Sequence, residues 1–387
     1  MKYDYIVIGG GVIGMTTARE IAIRGASVAI LDHQLFGNEA SRAAGGILSP
    51  MRPWIENQDS IILSEHAKTL YSDFTSSLKN ETGIDSEYVK SGLVIINKKH
   101  AQETKNWAYK NKIHFSDETN VNHSKINIPE YSILLPEIFQ VRPPLLLKAL
   151  YKSLKNLAVN LFENSKISHI GVNDNKFECI TLDNDKKIFA DHLIFTTGAW
   201  SKLLLNFINK DADVKPIRGQ IICIRSNNLI TDKIILDGGY YYIPRLDGNI
   251  LLGSTIEDVG FDNETTDIAR NQLLDWGYSI IPELAQSEFI GHWSGLRPAT
   301  NDGKPIIGPV PDFKNIYINT GHFRKGILQA PSSAKLLTDY LFDKPSFMDI
   351  NGFSLKRSIN TKKNRLIDDN HSYLDSTLLR ASNIMSE

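Results

Sequence analysis

The segment Tyr3-Asp4-Tyr5-Ile6-Val7-Ile8, followed at once by Gly9-Gly10-Gly11-Val12-Ile13-Gly14, restricts this chain more than any other stretch. Five of its first six residues are β-branched or aromatic, the mark of a buried strand. Gly9-x-Gly11-x-x-Gly14 then opens an apolar helical stretch running to Arg24, and Ala26 to Leu31 reads as a second strand ending on Asp32. That is a complete βαβ unit with its acid 18 residues past the last glycine. Gly9 suits a tight turn, Gly11 lets backbone approach a pyrophosphate, and Gly14 lets helix and strand pack closely. The helix start, with Val12 and Ile13 in its first turn, offers unpaired N–H groups to the phosphates. Asp32 can accept from a ribose and disfavours a 2′-phosphate. Glycine-rich turns also occur without ligands, but strand, helix, second strand and acid together predict a dinucleotide site.

At 387 residues the chain is long for one core, so two domains are expected. A net charge of −1 without a sizeable basic block gives nucleic acid no electrostatic footprint. Cys179 and Cys223 lie far apart without paired spacing, which indicates neither a metal site nor a disulfide framework. A reduced, cytoplasmic setting fits, and no signal peptide is expected before the first strand. Apolar runs fall far short of the ~18 residues a membrane span needs.

Along the chain, His33 to Pro50 reads as a loop whose small residues, Ala40, Ser41, Ala43, Ala44, Gly45, Gly46 and Ile47 among them, suit close approach to a cofactor. Helices are predicted over 58–82 and 99–110, a strand over Gly92 to Asn97, and an irregular polar stretch over 112–131. Pro143-Pro144 begins a helix with Leu146, Leu147, Leu150, Leu154 and Leu157 at helical spacing. Leu157 to Phe162 and Phe177 to Leu182 read as strands. His192 to Ser201, a strand broken at Gly198 before a helix, is assigned to the nucleotide domain. A β-rich block follows: Pro216 to Arg225, Lys233 to Leu236, Gly239 to Pro244, Asn249 to Ser254 and Phe289 to Arg297, with Asp247-Gly248 a hairpin signal and a helix over 266–280. Lys314 to Thr320 reads as the last strand, and Gly321 to Leu341 as a loop entering a helix, with Pro331 near the helix start. Residues 360–387 read as a solvated tail or a weak helix.

A unit of this kind serves NAD or FAD. No second glycine fingerprint exists, and regular βα alternation stops by residue 92, which favours FAD.

The sequence resembles the D-amino-acid-oxidase-like FAD oxidoreductases. The likeness is carried by Ile8 to Gly14, Ser41 to Leu48, Phe195 to Ser201, Pro216 to Gln220, Tyr241 to Arg245, Gly253-Ser254-Thr255, Trp293 to Pro298, Asn301 to Pro305 and Gly321 to Leu328. Within the family it is most similar to the amino-acid oxidases that act on glycine in thiamine biosynthesis. The resemblance implies a Rossmann-type FAD domain (1–88, 143–214, 303–345), an antiparallel-sheet α+β substrate domain (89–142, 215–302) and a C-terminal extension (346–387). It also implies non-covalent FAD, since no cysteine follows Cys223. The cofactor would touch Gly9, Gly11, Val12, Ile13, Gly14, Asp32, His33, Ala40, Ser41, Gly45, Gly46, Ile47, Ile167 and Gly198. The segment His322, Phe323, Arg324, Lys325, Gly326, Ile327 and Leu328 would wrap the flavin.

Arg297 and Tyr241 would hold a substrate carboxylate, with Arg324 at the site mouth; a planar guanidinium suits that task. From the residues alone, Arg297 is as compatible with a structural pair inside the sheet, and Tyr241 with a core tyrosine. Arg324 also reads as a solvated charge beside Lys325, and Lys325 and Gln329 depart from the family pattern. The implied activity is oxidation of a small amino acid to its imine, then hydrolysis, with O2 as acceptor. The alternatives are a D-amino-acid or N-methyl-amino-acid dehydrogenase using a quinone or carrier, and a flavin-binding scaffold without turnover. Homo-oligomer formation is left open.

Overall fold

A computed structural model describes residues 2–358 apart from 51, 118, 120, 122, 123 and 229. The tail assigned to 360–387 lies outside the described residues. The expected βαβ unit forms as the strand Lys2–Ile8, the helix Val12–Ile23 and the strand Val28–Leu31. The strands pair in parallel, with Ile8 opposite Leu31. On its other edge Lys2–Ile8 pairs in parallel with Lys187–Phe195, bringing Phe195 opposite Ile8 from across most of the chain. The full order runs Ile306–Pro309, Ile316–Thr320, Lys187–Phe195, Lys2–Ile8, Val28–Leu31 and Asn160–Phe162. Successive connections leave Lys2–Ile8 toward both sides, so a crevice opens at its C-terminal end, where ligands of such sheets bind.

One face of this sheet is covered by the helices Val12–Ile23, Gln58–Thr82, Pro143–Asn156 and Gly326–Leu341, which bury Met15, Leu63, Tyr71, Leu146, Leu150 and Leu337. The long helix Gln58–Thr82 starts where the Asn57 side chain accepts from Asp59 N, and stops at Gly83, whose φ of 70° a β-carbon would strain. The strand Ile167–Asn173, a hairpin partner of Lys176–Leu182, went unread in the sequence, because its residues alternate weakly and most are exposed.

A second, seven-stranded sheet comprises Glu288–Thr300, Val214–Arg225, Asn249–Gly253, Tyr240–Pro244, Ile234–Asp237, Leu93–Ile95 and Ile133–Leu135. It is antiparallel except where Ile234–Asp237 runs parallel to Leu93–Ile95. The Asp247-Gly248 hairpin forms as expected, with Gly248 at φ 80°. The helix Asp267–Ile280 covers one face through Leu273 and Trp276. A small sheet of Ile47–Leu48, Phe139–Gln140 and Val89–Lys90 stitches the two larger ones together.

Two expectations change. Pro331 is the sixth residue of the helix Gly326–Leu341, not at its start. Its missing N–H would leave the Ile327 carbonyl without a helical donor, and the buried Tyr71 hydroxyl donates to that oxygen instead. The beginning of the expected C-terminal extension also joins the core. Phe353 is fully buried, and the Arg357 guanidinium donates to Asp302 and to the carbonyls of Lys304 and Pro305. Among the described residues no helix is long and apolar enough to cross a membrane.

Candidate active site

The crevice at the end of Lys2–Ile8 continues into a cavity of about 480 Å³ that reaches the second sheet. At its sheet end the glycine fingerprint is compressed against neighbouring backbone. A β-carbon on Gly14 would lie 1.8 Å from the Gly9 carbonyl oxygen, and one on Gly9 (φ 110°) 2.5 Å from the Thr196 carbonyl oxygen. The Val12 N–H donates to Ser41 Oγ (3.0 Å), so the cofactor-facing loop is tied to the helix start. Asp32 accepts from Gly10 N (2.6 Å) and Gln34 N (2.9 Å), and His33 Nδ1 lies 3.1 Å from it. That bond to Asp32 raises the His33 pKa against partial burial. Glu39, its carboxyl raised by burial, keeps one oxygen buried without a partner beside this end of the cavity.

Gly45 and Gly46 pass under the second sheet. A β-carbon on Gly46 (φ 76°) would lie 2.1 Å from the Val141 carbonyl oxygen. Arg245 holds this turn from the other side, donating to Gly45 O (2.6 Å), Val141 O (3.0 Å) and Gln140 Oε1 (2.6 Å). Burial, then the charge of Arg142, lowers its pKa to about 10.

At the far end, Arg297 projects from Glu288–Thr300 across Gly219 of the paired strand. Its Nη1 donates to Thr255 O (3.1 Å) and Arg218 O (3.3 Å), and its Nη2 to Ser254 Oγ (2.7 Å). No carboxylate pairs with it among the described residues. Its partners within the sheet are neutral oxygens, which leaves the guanidinium charge without a counter-ion. Tyr241 lines the cavity beside Arg297 and Ser254, its phenol pKa raised by burial. Strand alternation turns Tyr241 to the cavity side, while Tyr240 and Tyr242 join the core beneath Asp267–Ile280.

The segment before the last helix closes the cavity. Arg324 reaches it with Nε and Nη2 buried and without partners, and with its guanidinium 5.3 Å from the Phe323 ring centre. Burial first, then the charges of Arg52 and Arg297, pushes its pKa down. Lys325 is buried, with its Nζ 2.8 Å from both Glu56 Oε2 and Ser60 Oγ. Gln329, the other departure from the family pattern, donates to Ser64 Oγ within the same buried interface. His322 is buried, and burial, then the charge of Lys325, lowers its pKa to about 3, which favours the neutral imidazole.

Of the residues singled out in the sequence, Gly9, Gly11, Val12, Ile13, Asp32, His33, Ala40, Ser41, Gly45, Gly46, Ile47, Ile167, Gly198, Tyr241, Arg297 and His322 to Ile327 all border this cavity. Gly14 and Leu328 do not. Gly14 packs on Gly9 and Leu328 enters the core behind the helix start. Arg52, Glu56, Trp200, Gly219 and Ser254 also line the cavity and went unread. Trp200, Gly219 and Ser254 stood inside quoted motifs, whereas Arg52 and Glu56 carry no local signal.

The donor set fits FAD. A glycine turn that no β-carbon could enter meets a helix start, an acid at the second strand, and a long groove ending between two arginines. The family described as DAO, FAD dependent oxidoreductase, matches residues 4–340. A glycine oxidase of Pseudomonas aeruginosa is 33% identical over 356 residues, covering 90% of this chain and 97% of that one. A bifunctional ThiO/ThiG protein of Trichormus variabilis is 30% identical over 89% of this chain and 54% of its own length. The crystal structure of glycine oxidase from Geobacillus kaustophilus superposes with a TM-score of 0.87 at 25% identity, covering 93% of this chain and 100% of that one. With a match that spans both sheets and the cavity between them, the chain belongs to the DAO family of FAD-dependent oxidoreductases.

Proposed function

We propose that this protein oxidises glycine or a similarly small amino acid to its imine, which water hydrolyses to the oxo acid and ammonia, in the service of thiamine biosynthesis. The observation that carries the reading is the pair Arg297 and Arg324. Both guanidinium groups face the cavity, and neither has a carboxylate partner among the described residues. A buried charge is costly unless something neutralises it, and an amino-acid carboxylate does so. Arg297 and the Tyr241 hydroxyl hold that carboxylate, and Gly219 gives the guanidinium its room.

Bound FAD supplies the acceptor for the hydride that leaves the α-carbon. The protein's own part is positioning and electrostatics. Two nearby positive charges disfavour an ammonium, so the substrate amine is held neutral and no side-chain base is required. Of the lining acids, Glu56 is engaged by Lys325 and Asp32 by Gly10 and Gln34, while Glu39 lies at the glycine-turn end of the cavity, away from Arg297. A small substrate suits a cavity that Tyr241, Ile221 and Leu296 line together with Arg297. FAD is held non-covalently in this reading, and a cysteinyl link has no donor, as neither Cys179 nor Cys223 borders the cavity. We further assign O2 as the acceptor and the cytoplasm as the setting.

Anaerobic mixing of the purified flavoprotein with a panel of amino acids tests this reading. Bleaching of the flavin by glycine or N-methylglycine is expected, and a panel that leaves the colour unchanged overturns it. Admitting air then decides the acceptor. Rapid return of colour supports O2, and return only with a quinone assigns a dehydrogenase.

A further inference from the structure

Arg297 is held by neutral atoms only, yet one carboxylate is bonded to the residues that supply two of the three. Glu257 lies on the segment after Gly253, bridged to the strand Val214–Arg225 by paired backbone bonds, Arg218 N to Glu257 O (2.9 Å) and Glu257 N to Arg218 O (3.0 Å). Its Oε2 accepts from Arg218 Nη2 (2.6 Å) and Nε (3.1 Å), and its Oε1 from Gln220 Nε2 (2.8 Å) and from the Thr255 hydroxyl. The Thr255 hydroxyl also accepts from Gln220 N (2.9 Å). The two ends of this network are the atoms that hold the Arg297 guanidinium: Arg218 O, which Glu257 N shares with Arg297 Nη1, and Thr255 O. Ser254, the third contact, is the residue next along the same segment.

We propose that Glu257 is the positioning residue of the carboxylate clamp, fixing Arg297 through Arg218 and Thr255 while leaving its fork open to substrate. The physical logic is a choice of distance. A carboxylate paired directly with Arg297 would occupy the two N–H groups a substrate needs. Set one layer back, it anchors the acceptors of those groups and supplies a negative field that favours the charged guanidinium. Asp262, the other acid on Arg218, makes no bond to Gln220 or Thr255 and its side chain is half exposed, so it offers an internal comparison.

This inference rests on the proposed role of Arg297, and the test separates the two. Binding of glycolate, a carboxylate with a hydroxyl in place of the glycine amine, is followed by perturbation of the visible flavin spectrum in the holoenzyme, alongside kcat and KM for glycine. Glu257→Gln removes the charge but keeps the size. It is expected to weaken glycolate binding and raise KM roughly tenfold or more, with a smaller change in kcat and with FAD content retained. Glu257→Asp is expected to recover part of the loss, and Asp262→Asn to change KM less than twofold, roughly. Should Glu257→Gln fail to fold, Thr255→Val, which cuts only the hydroxyl link, carries the same test, with a severalfold rise in KM expected. Glycolate binding within twofold of wild type in the folded Glu257 variant, or in Thr255→Val where that variant fails, overturns the inference. An equal loss in Asp262→Asn also overturns it, as does release of FAD. If Arg297→Ala too leaves glycolate binding unchanged, it is the clamp itself that fails.

Discussion

The guanidinium of Arg297 lies flat against Gly219 of the neighbouring strand: a β-carbon there would be 2.0 Å from its Nη1 and 2.1 Å from its Cζ. Gly219 pairs with Gly295, and Arg297 follows two residues later on the same face, so two glycines in register clear the site. The Gly295 side is filled by Ala43, which brings the cofactor-side loop against the substrate sheet. Gly219→Ala should therefore displace Arg297 without touching the glycine turn. A loss of about 10- to 100-fold in kcat/KM with FAD content unchanged is expected. Wild-type kinetics in this variant would show that the guanidinium is free to relocate.

Arg297→Ala removes a charge-assisted contact worth about 1.5–3 kcal/mol per hydrogen bond, so kcat/KM for amino acids should fall at least 10- to 100-fold, roughly. Arg297→Lys keeps the charge but not the planar fork and should recover part of the loss. Amines without a carboxylate are the control, and their slow rates should change little. Equal losses for both substrate types would return Arg297 to a structural role.

Tyr71→Phe should destabilise the fold. The hydroxyl supplies the donor that Pro331 withholds from Ile327 O, in a place water does not reach. Leaving that carbonyl unsatisfied costs about 1–3 kcal/mol, readable as a shift in the midpoint of chemical denaturation. A double variant, Tyr71→Phe with Pro331→Ala, should regain part of it, since the helix can then supply its own N–H. No recovery would mean that the loss does not come from an unsatisfied Ile327 carbonyl.

Acid should destabilise the protein through its buried histidines. Burial first lowers the pKa of His100 to about 4 and that of His322 to about 3, against about 6.5 in an unfolded chain. Below about 6.5 the unfolded state binds protons that the folded state refuses, so stability rises with pH across this window. The contribution is complete above about 6.5 and is lost as pH falls toward the folded values. His100→Gln should flatten the stability profile between about pH 4 and 6.5. An unchanged slope would show that His100 becomes accessible before the protein unfolds.

The βαβ unit, its acid and most elements of the fold were legible in the sequence because their causes are local. A strand of β-branched residues, a glycine turn and an amphipathic helix each announce themselves within a dozen residues. The same holds for Gly83 ending a long helix and for the Asp247-Gly248 hairpin. The resemblance carried Arg297, Tyr241 and the His322 to Ile327 segment to one place, but the residues alone left Arg297 open between clamp and structural pair. That choice depends on whether an acid stands within reach, which is a fact of three-dimensional distance. Glu257 stops one layer short, and Gly219 opens the space in front. Lys325 was equally undecidable, because its partner Glu56 lies 269 residues away. Pro331 looked like a helix start by the local rule, and only Tyr71, packed from another helix, lets it sit deeper. Periodicity and turn chemistry are written along the chain, whereas charge pairing and carbonyl satisfaction are settled between segments that meet only when both sheets are built.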